Sequence, residues 1–321
     1  TGNPASIFVS GAFARERANE PERLVEATGD LFSWGPRPAR PMPADDGIPG
    51  RRTMCELLGM SANVPTDIRF SFAGLARRGG ETGPHVDGWG IAFYEGRGCR
   101  AFHDPEASAR SDLARLLRAY PIKSRVVVAH VRRANRGRVA LENTHPFGRE
   151  LWGRPWTFAH NGQLKGVKKL PLGRHRPIGT TDSEHAFCWL LGELESRWST
   201  LPSPRRLDAV LPELFGRLCE LGVFNALVSD GRTLYAHCGK RLSVITRRAP
   251  FGRATLLDED LQVDFAAETT ERDVVSVVAT RPLTRDEAWR DLAPGETLAL
   301  RDGEVLDIGR CPASGAIRAA E

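Results

Sequence analysis

Arg51-Arg-Thr-Met-Cys55 marks the point at which this sequence begins to read as a folded domain. Upstream, Gly35 to Pro49 runs GPRPARPMPADDGIP. Each proline there removes a backbone donor and fixes φ, which excludes a helix or an inner strand. Only Glu20–Phe32 is expected to form a short helix. Residues 1–54 therefore read as a Pro/Arg-rich extension: a linker, a propeptide, or sequence upstream of a start at Met54. Residues 55–310 read as one domain, and 311–321 as a tail.

Downstream of Cys55 the apolar pattern alternates between strand and helix. Strands are expected over 88–94, near 99–103, and over 126–131 and 156–160, where β-branched and aromatic residues cluster. Residues 182–197 carry Phe187, Leu190 and Leu191 at helical spacing, with Thr181 or Asp182 able to cap the start. A second helix is expected over 206–221. Strands return over 226–229, 231–236 and 274–279, the first two joined by the turn Ser229-Asp-Gly231. Strands, two long helices, then strands again imply antiparallel sheets packed with helices in layers. Gly88-x-Gly90 and Gly96-x-Gly98 lack the third glycine and following helix of a dinucleotide site.

Bulk properties narrow the classes of function. The chain carries a net charge of +5, but its basic residues are interspersed with acids and accompany no nucleic-acid module, so they read as a solvated face. No run of about 18 apolar residues occurs, so no membrane span is expected, and the protein reads as soluble and cytoplasmic. Six widely spaced cysteines without a Cys-x-x-Cys pair read as reduced thiols, Cys188 and Cys219 as small core residues. His130, His145, His160 and His175 recur at a regular interval that matches no structural period and contains no close ligand pair, so no metal is expected, and no cofactor. No Gly-x-Ser-x-Gly elbow is present.

The chemistry falls instead on Cys55. A cysteine exposed as the terminal residue after removal of Met54 carries a thiol and an α-amine with a pKa of about 8, a nucleophile and its base in one residue. Arg132 closes an expected strand and can grip a carboxylate with two parallel bonds, or lie on the surface. Asn143-Thr-His-Pro-Phe147 places His145 in a polar turn. Asn161-Gly162 follows a strand and offers an amide and a backbone N–H to one oxyanion, or is a common turn. Asp182 opens a helix as a cap, as a substrate-facing carboxylate, or as both. His130 and His160 read as satisfied core histidines.

Taken in order, these motifs resemble the class II glutamine amidotransferases, which are N-terminal nucleophile hydrolases. The stretches Arg78-Gly-Gly, Gly83-Pro-His-Val-Asp-Gly-Trp-Gly-Ile-Ala-Phe-Tyr94 and Ala279-Thr-Arg-Pro-Leu-Thr284 resemble its stand-alone YafJ-like group. The resemblance spans about Cys55 to Ile308. It implies an α+β fold, a four-layer α/β/β/α sandwich. It also implies that Cys55 attacks the glutamine amide, giving a γ-glutamyl thioester, ammonia and then glutamate. Asn161 and Gly162 would hold the oxyanion. Arg132 would pair with the substrate carboxylate, Asp182 with its amine, and His145 would support the pocket. Arg132-Arg133-Ala134-Asn135 departs from the Arg-Trp-Ala-Thr common in the wider family. No synthase domain follows, so the expected partners are glutamine or a γ-glutamyl small molecule and a separate ammonia-accepting synthase. Hydrolysis of another linear amide, or mere binding if the extension is retained, are the alternatives.

Overall fold

The structure, a computed structural model, describes residues 55–134, 138–267 and 269–311. The expected helix at 20–32, the Pro/Arg-rich extension and the chain beyond Cys311 lie outside the described residues. In chain order come β1 (Glu56–Asp67), α1 (Arg69–Arg77), β2 (Trp89–Glu95), β3 (Gly98–Asp104), α2 (Asp112–Ala119), β4 (Lys123–Val131), β5 (Phe147–Leu151) and β6 (Arg154–Leu164). The helices α3 (Asp182–Arg197) and α4 (Pro204–Cys219) follow. After them run β7 (Gly222–Ser229), β8 (Thr233–His237), β9 (Ser243–Arg248), β10 (Arg253–Thr255), β11 (Gln262–Asp264), β12 (Val274–Ala279), β13 (Arg290–Asp291), β14 (Glu296–Arg301) and β15 (Glu304–Arg310).

Two antiparallel sheets carry the fold. One has the order β13-β9-β12-β1-β4-β2-β3 and the other β15-β14-β8-β7-β6-β5, while β10 and β11 form a separate ribbon. Alternation along each strand supplies two apolar faces. In β1, Leu57 meets Ala159, Leu227 and Leu234 between the sheets. Leu58 and Met60 point the other way and pack beneath Phe72, Leu75 and Leu117 of α1 and α2. On the far sheet, Phe158, Phe224 and Val228 turn outward under Phe187, Leu190, Leu211 and Phe215 of α3 and α4. Helix, sheet, sheet, helix: the four-layer α/β/β/α sandwich expected from the resemblance is the fold.

The sheets meet closely where β1 crosses the second sheet. A Cβ on Gly59 would stand 2.7 Å from Leu234 Cδ2 and 3.1 Å from Leu227 Cδ1, so any side chain there would have to displace these leucine tips.

Two readings are corrected. The sequence pattern assigns no strand to β1, the central strand at the head of the domain. Glu56-Leu-Leu-Gly-Met-Ser-Ala62 is buried throughout on both faces and shows no polar alternation to mark it. Nor does the strand at 156–160 end before Asn161. β6 continues to Leu164, with Asn161 opposite Asn225 and Gly162 opposite Phe224.

Candidate active site

Cys55 sits at the head of β1, at one end of the layer between the sheets. Its backbone is clamped from several sides. The Leu57 N–H donates to Thr280 Oγ1 at 2.8 Å, and the Thr280 N–H donates to the Leu57 carbonyl at 3.1 Å. Glu56, buried beside it, accepts from Arg78 Nη1 at 3.0 Å and from Arg281 Nε at 2.8 Å. Arg78 is itself buried and donates onward to Asp258 at 2.8 Å and to the Pro282 carbonyl at 2.6 Å. Each charge in this network has a partner, the condition under which ions tolerate burial. Residue 56 is thereby held, and residue 55 with it.

The half-buried thiol lies against the end of β4. Its sulfur accepts the Arg133 N–H at 3.1 Å and faces the Arg133 carbonyl at 3.3 Å. Asn161 Nδ2 donates to the Cys55 carbonyl, and the Asn161 carbonyl accepts from Asn225 Nδ2 at 3.0 Å. Asn225 Oδ1 in turn gathers the N–H groups of Gly239, Lys240 and Arg241 at 2.9–3.1 Å. A buried polar residue in the middle of apolar β7 thus ties the strand carrying Asn161 to the loop after β8. Gly162 has φ +155°, and a Cβ on it would lie 1.8 Å from the Val223 carbonyl oxygen, so glycine is required.

A cleft of about 820 Å³ opens over the thiol, and Cys55, Arg132, His145, Asn161, Gly162 and Asp182 all line it. Arg132, buried at the end of β4, donates from Nη1 to the Asp87 and Arg138 carbonyls at 3.4 Å each. These are long bonds that a bidentate carboxylate would outcompete. Asp182 opens α3 but is not its cap: Thr181 Oγ1 accepts the Glu184 N–H at 3.1 Å. Asp182 instead accepts from the Leu164 N–H at 2.8 Å and the Ser183 N–H at 2.9 Å, joining the end of β6 to the helix. Ser183 Oγ also approaches Asp182 Oδ1 at 3.5 Å, and the carboxylate lines the cleft.

The histidines divide. His160 is satisfied, bonded to Ser183 Oγ at 2.8 Å and to the Val223 carbonyl at 3.1 Å. His130, also read as a satisfied core residue, is not: its ring lies 4.4 Å from that of His145. Among the described residues none of their four ring nitrogens has a hydrogen-bond partner. Burial pushes both imidazoles well below 6.5, the Arg132 charge and His160 lower both further, and His130 also lowers His145. Burial likewise pushes the Cys55 thiol up to about 11, against the opposing pull of the Arg133 N–H and the Arg132 charge.

A thiol at a strand head, an amide donor, one buried cation and one carboxylate share a cleft in a four-layer sandwich. The class II glutamine amidotransferase family model matches residues 54–319. This chain belongs to that family. It is 61% identical over 246 residues, 76% of this chain and 96% of the other, to YafJ of Escherichia coli (strain K12), named as a candidate glutamine amidotransferase. A similarly named protein of Haemophilus influenzae is 43% identical over 255 residues, 79% of this chain and 87% of the other. The crystal structure of a predicted glutamine amidotransferase from Pseudomonas aeruginosa PA01 aligns with a TM-score of 0.65 at 52% identity, covering 78% of this chain and 99% of that one. The allosteric regulatory enzyme of purine biosynthesis shares the fold, with a TM-score of 0.52 at 16% identity over 79% of this chain and 49% of its own.

Within this member of the family, the stretches that carried the resemblance acquire physical roles. Arg78 and Arg281 hold Glu56, and Thr280 holds Leu57. Glu56, Asn225 and Lys240 escaped the sequence reading. Only Asn225 left a signal, a lone amide inside Val223-Phe-Asn-Ala-Leu-Val228. No helix among the described residues is long and apolar enough to cross a membrane.

Proposed function

We propose that this amidotransferase hydrolyses the side-chain amide of glutamine with Cys55 as nucleophile. The observation that carries the reading is the position of the thiol: its sulfur accepts a backbone N–H in a cleft that also presents Asn161, Arg132 and Asp182. The thiol proton passes to the α-amine of Cys55 once that amine is free, and sulfur adds to the amide carbon. One Asn161 N–H rests on the Cys55 carbonyl and the amide's second N–H is available to the oxyanion, with the Gly162 N–H beside it. Collapse returns the proton to the leaving nitrogen, releases ammonia and leaves a γ-glutamyl thioester. Water then cleaves the thioester to glutamate. Arg132 and Asp182 take the substrate's α-carboxylate and α-ammonium, and His145 lines the wall. The ammonia passes to a separate synthase.

A peptide bond to Met54 removes the base from this scheme and leaves a thiol that ionises only near 11. Processing at Cys55 is therefore part of the proposal. The test compares ammonia release and iodoacetamide reactivity for the full chain and for a chain beginning at Cys55. The expected result is glutamine hydrolysis only by the latter, with the alkylation midpoint falling toward about 8. Equal hydrolysis by the full chain would overturn the terminal-amine mechanism. Inactivity of both would leave a glutamine-binding module.

The cleft supports a second substrate class on the same chemistry. Besides Arg132 it is lined by Arg133, Lys165, Lys168, Lys169 and Lys240, far more positive charge than one α-carboxylate requires. A γ-glutamyl amide bearing an anionic leaving group would use it. Higher kcat/KM for γ-glutamylglutamate than for γ-glutamyllysine and for glutamine would select this reading, and the reverse order would remove it.

A further inference from the structure

A second cluster of donor groups lies under the outer helices, and none of its members lines the cleft. Cys219 is the last residue of α4, His237 the last of β8, and Cys311 follows β15 directly. The three come from distant parts of the chain and all are buried, His237 completely. Cys219 Sγ lies 3.0 Å from His237 Nε2, Cys311 Sγ lies 3.7 Å from that nitrogen, and the sulfurs are 3.6 Å apart. We propose that Cys219, His237 and Cys311 form a Zn²⁺ site that fastens the end of β15 to α4 and the second sheet.

The edge lengths carry the argument. Zn–S bonds of about 2.3 Å and a Zn–N bond of about 2.0 Å at tetrahedral angles give an S–S edge of about 3.8 Å and S–N edges of about 3.5 Å. Two of the three observed edges match within about 0.2 Å of these values, and the Cys219–His237 edge opens by about half an ångström on binding.

The surroundings fit the same ion. His237 Nδ1 bonds to Thr297 Oγ1 at 2.7 Å, and Thr297 is the cross-strand partner of His237. With Nδ1–H donating to that hydroxyl oxygen, Nε2 turns its lone pair to the two sulfurs, as the outer partner of a metal-bound imidazole does. The rings of Phe215 and Phe224 flank the imidazole at 5.4 and 5.6 Å, so the setting is apolar. Two thiolates, a neutral imidazole and a divalent cation sum to zero charge, the balance an apolar interior tolerates. Gly216 interrupts α4 where Cys311 arrives: a Cβ there would stand 3.3 Å from Cys311 Cβ. Glycine is a poorer helix former than alanine, and here it makes room for the third ligand. Three protein donors leave one vertex to a non-protein ligand.

The test uses the full chain in a Cys55→Ala background, which removes the nucleophile's sulfur from the count. After reduction and chelation the protein is given Zn²⁺, desalted and analysed for metal. Retention of about one ion per chain, with a rise in Tm, is expected, and retention falls to a tenth or less in Cys219→Ser/Cys311→Ser. Co²⁺ titration of the parent protein provides a readout that does not depend on whether the variant folds. Near-ultraviolet thiolate-to-cobalt absorption saturating at about one equivalent supports the site. Absence of that absorption, undiminished Zn²⁺ in a folded double variant, or a Cys219–Cys311 disulfide in the freshly isolated protein overturns it.

Discussion

On either side of Cys55 the polar interior is built on opposite terms. Toward α1, the Glu56 carboxylate meets Arg78 and Arg281, and Arg78 continues to Asp258 and the Pro282 carbonyl. Toward the cleft wall, His130 and His145 lie against each other at a 45° tilt, with no ring nitrogen partnered among the described residues. Both environments are desolvated, but one is saturated and the other is not. A saturated network is costly to break and therefore fixes geometry. Unsatisfied imidazoles each forfeit about 1–3 kcal/mol and contribute nothing to folding that an apolar residue would not. The first side holds Cys55, while the second leaves buried ring nitrogens beside the cleft without partners among the described residues.

Five substitutions sharpen or break this contrast. Cys55→Ala, made in a chain that starts at residue 55, should lower glutamine hydrolysis by about 10⁴-fold or more while leaving Tm nearly unchanged. A smaller loss would place the nucleophile elsewhere. Arg78→Met leaves a buried carboxylate with half its partners and should destabilise by about 3–5 kcal/mol in urea unfolding. If it proves as stable as the parent, the saturated side is ornamental. Asn161→Ala removes one oxyanion donor and should reduce kcat by about 10²–10³-fold with a modest change in KM. An effect on KM alone would assign the amide to binding.

The smallest effect belongs to the histidine wall. His145→Leu should hold or raise stability at pH 7.5 by about 1 kcal/mol, because it deletes polar atoms that lack partners. The pH dependence follows from the lowered values. A folded-state imidazole held below 6.5 binds its proton later than the unfolded chain does. Stability is therefore complete above about 6.5 and falls as the pH drops below it, by about 1.4 kcal/mol per pH unit for each such histidine. Denaturant melts between pH 7.5 and 5 should show a shallower decline in His145→Leu and in His130→Leu. An unchanged slope would mean that these rings are protonated in the fold.

The layered architecture was legible because strand and helix periodicities differ, and Val126–Val131 and Asp182–Arg197 announce theirs within a few residues. The candidate site residues were legible as local motifs, since an Asn-Gly pair or a helix-opening aspartate is a property of neighbours in sequence. β1 was not legible, because a strand buried on both faces carries no alternation. The continuation of β6 through Gly162 was decided by its pairing with β7, which overrides the turn preference of Asn-Gly.

The same division separates the pieces of chemistry. By itself the sequence determined that Cys55 follows a methionine, that Arg132, His145, Asn161 and Asp182 accompany it in order, and that a resembling family exists. Only the tertiary structure decided that Glu56 needs Arg78 and Arg281, that Asn225 steadies Asn161, and that His130 faces an unsatisfied partner. It alone brought Cys219, His237 and Cys311 into one buried cluster. The reason is physical. Local preferences act over a turn or a strand, whereas desolvation, charge pairing and donor geometry depend on residues far apart in the chain, 225 positions for Glu56 and Arg281, and no pattern in the chain encodes which of them will meet.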